Sequence, residues 1–213
     1  MSAVAPTDAL VVAEGWISEH YFTTDAKKES FLARALERRA EWDAHKDSGT
    51  TRTRVLGARQ QLLAAYAGLG HAERETAEAL NEDIIGLLGY EGVGYTHERR
   101  GPVRLVRGSG LDEPLVALVS AQPQDTVEAL LAKDGATLLA PYLQPDGSEI
   151  ASVARLVSAL FVADDHRPAF ALVVAGRHLG VAEQERWAEG RYLSIDLQLV
   201  LERSDERKGG ELD

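Results

Sequence analysis

Residues that could bind a metal ion or activate water are scattered along this chain. Two acid-x-Lys triplets, Asp25-Ala26-Lys27 and Glu206-Arg207-Lys208, carry the groups with which a Mg²⁺ site holds its ion and places a lysine beside the attacking water. The first stands at a predicted helix start and the second in a charged tail, so we interpret both as surface charges. The six histidines show neither HExxH nor any other paired metal spacing, and Asp164-Asp165-His166 lies in a predicted loop. We therefore expect no catalytic residue, no metal and no cofactor in this chain.

Motifs for methyl or phosphoryl transfer are also missing. A DNA methyltransferase needs a Gly-rich turn for S-adenosylmethionine and an Asn/Asp-Pro-Pro-Tyr/Phe clamp for the target amine. The chain has no Pro-Pro pair and no GxxxxGK[ST] loop, and Gly92-x-Gly94 and Gly108-x-Gly110 are isolated matches typical of turns. It also has no cysteine, which excludes disulfides and thiolate chemistry and is typical of a reducing cytosol.

The charge of the chain is negative overall but uneven. The formal net charge is −11, which disfavours tight nucleic-acid binding. Between Lys27 and Arg59, however, nine basic residues stand against five acidic ones. These indicate a basic face that could bind DNA weakly and without sequence preference. The alternative is that they lie on ordinary solvated helix faces. The candidate DNA-binding residues are Arg34, Arg38, Arg39, Lys46, Arg52, Arg54 and Arg59.

Aromatic side chains are concentrated near the N-terminus. Trp16, His20, Tyr21 and Phe22 fall within seven residues. They are candidate partner-docking residues, since exposed aromatic side chains anchor many protein interfaces. The alternative is that they fix an N-terminal arm onto a helical layer.

Apolar periodicity predicts that these residues stand on helices in the first part of the chain. One helix begins near Thr23-Thr24-Asp25 and a second near Thr53. A third helix ends at Gly89. These three amphipathic helices are expected to pack on one another.

After Tyr90 the pattern predicts strands. Leu115 to Val119 is a continuous apolar run typical of a buried central strand. Ile150 to Val162 predicts a helix. Phe170 onward predicts a strand, a tight turn at Gly176, a return strand and a third strand. The residues expected to face inward from these strands are Phe170, Leu172, Leu179, Leu193, Ile195, Leu197 and Leu199, with Trp187 covering a sheet edge.

The predicted fold class is α+β, with a helical N-terminal layer packed on a mixed β-sheet. The predicted organisation is a flexible N-terminus (1–13), a helical subdomain (14–89), a mixed α/β subdomain (90–203) and a linker (204–213). No apolar run approaches the ~20 residues of a membrane span, and no signal peptide precedes the helices. These features predict a cytoplasmic protein that does not contact membranes.

Two segments carry a resemblance to a known family. The helix, the strand, the Ala175-Gly176-Arg177-His178 turn and Tyr192 to Leu197 together resemble the back half of a PD-(D/E)xK nuclease-like domain. Such domains stand at the N-terminus of large restriction-modification and phage-defence DNA adenine methyltransferases, of the type IIG or BREX/DISARM-like kind. Gly15 to Phe22 is similar to the lead-in of actinobacterial members.

The resemblance implies a nuclease-like topology and a methylase domain that follows this chain. It also implies that an acid-x-Lys strand precedes the helix and hairpin, and here that strand is Leu115 to Gln122, with Ser120 and Gln122 at the acid and lysine positions. We therefore expect a degenerate, non-catalytic accessory domain that positions DNA or a partner, such as the methylase domain or another defence subunit. The alternative is a protein–protein interaction module of a defence complex without nucleic-acid contact. A metal nuclease with relocated ligands is a third hypothesis.

Overall fold

The computed structural model describes residues 9–24, 30–45, 49–69, 73–92 and 94–203. These residues form a mixed α and β fold around a seven-stranded sheet, with a separate two-stranded hairpin. The strands are β1 (Leu10–Val12), β2 (Tyr95–Arg100), β3 (Val103–Gly108), β4 (Val116–Ser120), β5 (Tyr142–Leu143), β6 (Glu149–Ile150), β7 (Phe170–Ala175), β8 (His178–Glu183) and β9 (Leu193–Asp196). The helices are α1 (Glu19–Thr23), α2 (Phe31–Ala44), α3 (Thr51–Gly68), α4 (Arg74–Leu88), α5 (Val127–Leu130), α6 (Val153–Val162), α7 (Gln184–Trp187) and α8 (Leu197–Arg203).

The large sheet is mixed, with the order β1-β9-β8-β7-β4-β3-β2. Strands β4 and β7 run parallel, and the other neighbouring pairs in this sheet are antiparallel. A parallel pair needs a long crossover, and here it contains α5, the β5–β6 hairpin and α6. The buried strand predicted at Leu115 to Val119 is confirmed from Val116 onward, because every residue of β4 is buried, whereas Leu115 precedes the strand and is 40% exposed.

Helices cover both faces of this sheet. On one face, α5 and α6 pack on the strands through a cluster that includes Leu130, Leu156 and Val119. On the opposite face, α3, α4 and α8 pack through a cluster that includes Leu62, Ile84 and Leu201. The helices α3 and α4 therefore share an apolar core with the strands. Within the ranges given above, no helix is both long and apolar enough to cross a membrane.

Capping residues mark the starts of α2 and α3 and the end of α4. The start predicted at Thr23-Thr24-Asp25 is wrong, because α1 already ends at Thr23 and α2 begins after Ser30, whose hydroxyl accepts from Ala33 N at 3.2 Å. Residues 25–29 lie outside the described residues. Helix α3 begins after Thr50, which caps Thr53 N at 3.3 Å. Helix α4 ends at Gly89 in the left-handed conformation, as predicted.

The predicted hairpin around Gly176 is confirmed. Strands β7 and β8 are antiparallel, and Gly176 joins them with φ of +60°. Three of the residues assigned nearby to the inward faces of strands are placed differently in the structure. Phe170 is 37% exposed at the start of β7. Leu197 and Leu199 belong to helix α8, because the carboxylate of Asp196 accepts from Leu199 N at 3.2 Å and so caps a helix at that point.

Two further segments differ in detail from the sequence pattern. Helix α6 begins at Val153, because Ile150 pairs with Tyr142 in the β5–β6 hairpin before the helix starts. Within the N-terminal segment 1–13, the residues of β1 form an edge strand of the large sheet, where Leu10 lies opposite Ile195 of β9.

Candidate functional site

Uncharged side chains occupy the end of β4, the strand that the family resemblance singles out. Ser120 is buried there, and its backbone N–H donates to Pro102 O at 2.9 Å. Gln122 follows the strand, and its Nε2 donates to Leu138 O at 3.1 Å. Neither side chain offers the anionic oxygens that Mg²⁺ requires or the ammonium group expected beside an attacking water.

The carboxylate next to Ser120 belongs to Glu82 of α4, and arginines neutralise it. Glu82 and Ser120 line the same small pocket. Arg104 of β3 forms a close ion pair with Oε2 of Glu82, and Arg99 of β2 lies 3.6 Å from Oε1. The guanidinium groups of Arg99 and Arg104 thus balance the charge of the Glu82 carboxylate, as a metal cation would in a metal site. Across the described part of the chain, no three His, Asp or Glu side chains converge as a metal site requires.

The candidate DNA-binding arginines of α2 are exposed but paired with acids. Arg34 lies 3.0 Å from Glu37, and Arg38 lies 2.6 Å from Glu41. Each of these four side chains is more than half exposed, so the pairs contribute little to stability and can exchange with solvent. Their carboxylates nevertheless cancel the positive potential that a phosphate would meet on this helix.

Two other candidates, Arg39 and Arg52, converge on one carboxylate. Asp43 lies 3.7 Å from Nε of Arg39 and 3.5 Å from the guanidinium of Arg52. Arg52 stands on α3 and is only 18% exposed, so this contact joins α2 to α3. The structure therefore brings Arg39 and Arg52 together around an acid, not on an open basic face.

Arg54 and Arg59 serve the ends of neighbouring helices. Arg54 Nε donates to Leu87 O of α4 at 3.0 Å, and Arg59 Nε donates to Leu201 O of α8 at 2.8 Å. Cationic donors at helix C-termini satisfy free carbonyls and oppose the negative end of the helix dipole. Lys46 lies outside the described residues. Contact between DNA and this set of basic residues stays a prediction.

The N-terminal aromatic candidates are placed differently from one another. Phe22 is buried, with its ring 5.1 Å from that of Phe31 on α2, and Tyr21 stacks edge-on against both. Trp16 is half-buried, and His20 is exposed. Phe22 therefore joins α1 to α2, while a docking role for this group stays a prediction.

A buried asparagine that the sequence reasoning missed links α4 to the centre of the sheet. Asn81 is fully buried; its Nδ2 donates to Ala121 O at 2.9 Å, and its Oδ1 accepts from Gly176 N at 2.9 Å. One amide thus ties the end of β4 to the turn between β7 and β8. The signal was available, because Asn81 stands on the apolar stripe of α4 beside Leu80 and Ile84.

A second cluster of polar side chains lies around the start of β8. Arg177 donates to Asp125 O at 2.7 Å and lies 3.6 Å from Asp196, which is opposite His178 in the β8–β9 register. The hydroxyls of Tyr66 and Ser194 are buried without a hydrogen-bond partner. These atoms mark polar positions inside the fold.

The surroundings of this polar cluster favour the neutral forms of His178 and Tyr66. Burial lowers the pKa of His178; Asp196 opposes that shift and Arg177 reinforces it. Burial and the charge of Asp196 raise the pKa of Tyr66 well above its ordinary value. His178 is only 4% exposed, so its ring cannot meet a substrate in this conformation, and the geometry assigns it to the stability of the turn.

The lowered pKa of His178 predicts a pH-dependent stability. In the unfolded chain the His178 ring binds a proton near pH 6.5, whereas in the folded chain it binds one only at lower pH. The free energy of unfolding should therefore fall as the pH drops below about 6.5. The slope attributable to this one proton is at most about 1.4 kcal/mol per pH unit. Urea unfolding between pH 8 and pH 5.5 should show this slope in the parent chain and lose it in His178→Gln. An identical slope in both proteins would assign the pH dependence to other groups.

Comparison with family models, with curated proteins and with solved structures finds no match to this chain.

Proposed function

We propose that this chain is a non-catalytic accessory domain of a DNA methyltransferase in a restriction-modification or phage-defence system. Its role would be to position a partner, or DNA, for the methylase domain. The fold would be a PD-(D/E)xK nuclease-like scaffold that has lost its metal-binding residues.

The observation that carries this proposal is the central strand β4. It leads through a crossover containing α6 into the parallel strand β7, the turn at Gly176 and strand β8. This is the order of elements that the resemblance implies after a metal-binding strand. In place of an acid-x-Lys pair, β4 and the residues after it offer Ser120 and Gln122. A nuclease-like order of elements around an uncharged strand supports a scaffold without cleavage activity.

The distribution of charge favours a second candidate function, in which this domain contacts only other proteins. Arg34, Arg38, Arg39 and Arg52 each have a carboxylate within 4 Å. With a net charge of −11, little uncompensated positive charge remains to attract phosphates. This observation supports an interaction module of a defence complex that does not contact nucleic acid.

A first test measures catalysis. Plasmid incubated with the chain, Mg²⁺ or Mn²⁺ and labelled S-adenosylmethionine should remain intact and unlabelled, because the chain lacks both the acid-x-Lys pair and the Pro-Pro clamp. Asp164→Ala and Asp165→Ala serve as controls. Nicking by the parent chain that disappears in either variant would instead support a nuclease with relocated ligands.

A second test separates DNA from protein as the ligand. We expect duplex DNA to bind with a dissociation constant that is micromolar or weaker at ~50 mM salt, measured by fluorescence anisotropy. If about three to five phosphates are contacted, affinity should fall tens- to hundreds-fold between ~50 and ~200 mM salt. The double variant Arg38→Glu with Arg52→Glu should then abolish binding. No binding by the parent chain at ~50 mM salt would support the module that contacts protein only.

A further inference from the structure

A groove of about 590 Å³ runs along the surface between α6 and α7. Its volume falls within the range of about 300–1,000 Å³ found for ligand-binding clefts. The apolar lining comes from Leu131, Phe161, Val162, Trp187 and Tyr192. The ring centroids of Trp187 and Tyr192 lie 6.4 Å apart and the rings are tilted by 56°, so the two rings pack on each other and form one continuous aromatic wall of the groove.

Polar contacts between the two helices fix the positions of the side chains that line this groove. Trp187 Nε1 donates to the hydroxyl of Ser158 on α6 at 2.8 Å. Gln184 Nε2 donates to Phe161 O at 3.2 Å. The side chains that would contact an occupant are therefore fixed beforehand, which reduces the entropy lost on binding.

Carboxylates surround the groove. Glu185 lines it directly. Glu128 and Glu14 are close enough to Tyr192 to add to the effect of burial, which is the main reason that its pKa is raised. Asp164 and Asp165 are exposed just beyond Val162, where the negative end of the α6 dipole also points.

Fewer cations balance these acids. Lys133 lines the groove, and Arg167 lies beyond the end of α6, with its Nε donating to the carbonyl of Ala163, which directly follows the helix. Arg186 and Arg191 both approach Glu189, at 3.7 Å and 3.0 Å. The surroundings of the groove are therefore negative, which repels nucleic acid and also a second copy of this acidic chain.

We propose that this groove docks a basic amphipathic segment of a partner protein. An aliphatic or aromatic side chain of the segment would pack in the groove against Trp187 and Tyr192, and its lysines or arginines would face the surrounding carboxylates. The inference rests on the proposed function, in which the chain positions a partner, and it assigns the surface and the chemistry of that contact.

The test begins with random twelve-residue peptides displayed on phage and selected against the full chain. The enriched peptides should combine lysine or arginine with at least one large apolar side chain. A synthetic copy of the most enriched peptide then gives a dissociation constant by fluorescence anisotropy for the parent chain and for each variant.

Two matched variants separate groove docking from general attraction between opposite charges. Val162→Asp and Leu143→Asp both replace an exposed apolar residue, 75% and 66% exposed, by a carboxylate. Leu143 is not part of the groove lining. An added negative charge strengthens non-specific binding of a basic peptide, whereas at Val162 it also places a charge in the apolar lining of the groove. We expect Val162→Asp to weaken binding at least tenfold and Leu143→Asp to change it less than twofold. Glu185→Lys should weaken it at least threefold.

Three results would overturn the proposal. The first is tighter or unchanged binding in Val162→Asp. The second is enrichment of peptides without basic residues, and the third is no enrichment at all. Each of these would remove the groove as the docking surface, while intact, unlabelled plasmid in the catalytic assay would leave the non-catalytic assignment in place.

Discussion

Replacing Asn81 by leucine is expected to lower the free energy of unfolding by about 2–6 kcal/mol. Leucine has a similar volume but cannot donate to Ala121 O or accept from Gly176 N, both at 2.9 Å from the amide in the folded chain. Each buried group that loses its partner costs about 1–3 kcal/mol. Urea unfolding followed by circular dichroism measures the change.

Gln61→Leu is the matched control for this substitution. Gln61 also uses its amide in a contact between helices, but the 3.4 Å bond to Asp83 is exposed to solvent. Its loss should change the free energy of unfolding by no more than about 0.5 kcal/mol. If Asn81→Leu costs less than about 1 kcal/mol, the amide does not hold β4 and the β7–β8 turn together as the structure indicates.

Gly176→Val should also destabilise the fold strongly, for two separable reasons. The φ of +60° disfavours a β-branched residue, at a cost of about 1–3 kcal/mol. A Cβ at this position would also lie 2.9 Å from Leu69 Cδ1 and 3.3 Å from Pro123, and such crowding costs about a further 1–3 kcal/mol.

Gly147→Val separates these two contributions. Gly147 has a φ of +84°, but no atom lies within 4 Å of the added Cβ. This variant should therefore show only the conformational cost when both proteins are unfolded in urea. Equal losses at the two glycines would mean that Leu69 and Pro123 move aside and that packing at the turn is loose.

Local patterns were sufficient to predict much of this fold. The uninterrupted apolar residues of β4 and the glycines at the end of α4 and in the β7–β8 turn are local signals. Strand β2 was not identified, because the edge strand Tyr95–Arg100 is polar and mostly exposed. Helix α8 was interpreted as strand, because its leucines alternate with other residues while the decisive signal is the cap from Asp196.

The side-chain partners at the candidate sites could not be predicted from local composition. The basic residues of α3 form a cluster in the sequence, yet Arg59 caps a helix that begins at Leu197 and so depends on tertiary structure. Asn81 is similar, since its partners Ala121 and Gly176 are brought together only by the parallel pairing of β4 and β7. Residue types therefore indicate where polar and charged side chains occur along the sequence, whereas the tertiary structure determines which groups each of them contacts.

The pairing of β1 with β9 has a consequence for how the protein is made. Leu10 emerges from the ribosome early, but its neighbour in the sheet, Ile195, is synthesised close to the end of the described chain. Until then β1 has no strand to pair with, and the exposed edge of β8 remains open to other chains. Completion of the sheet therefore waits until β9 has left the ribosome, and fast closure of this edge then limits aggregation of the nascent chain.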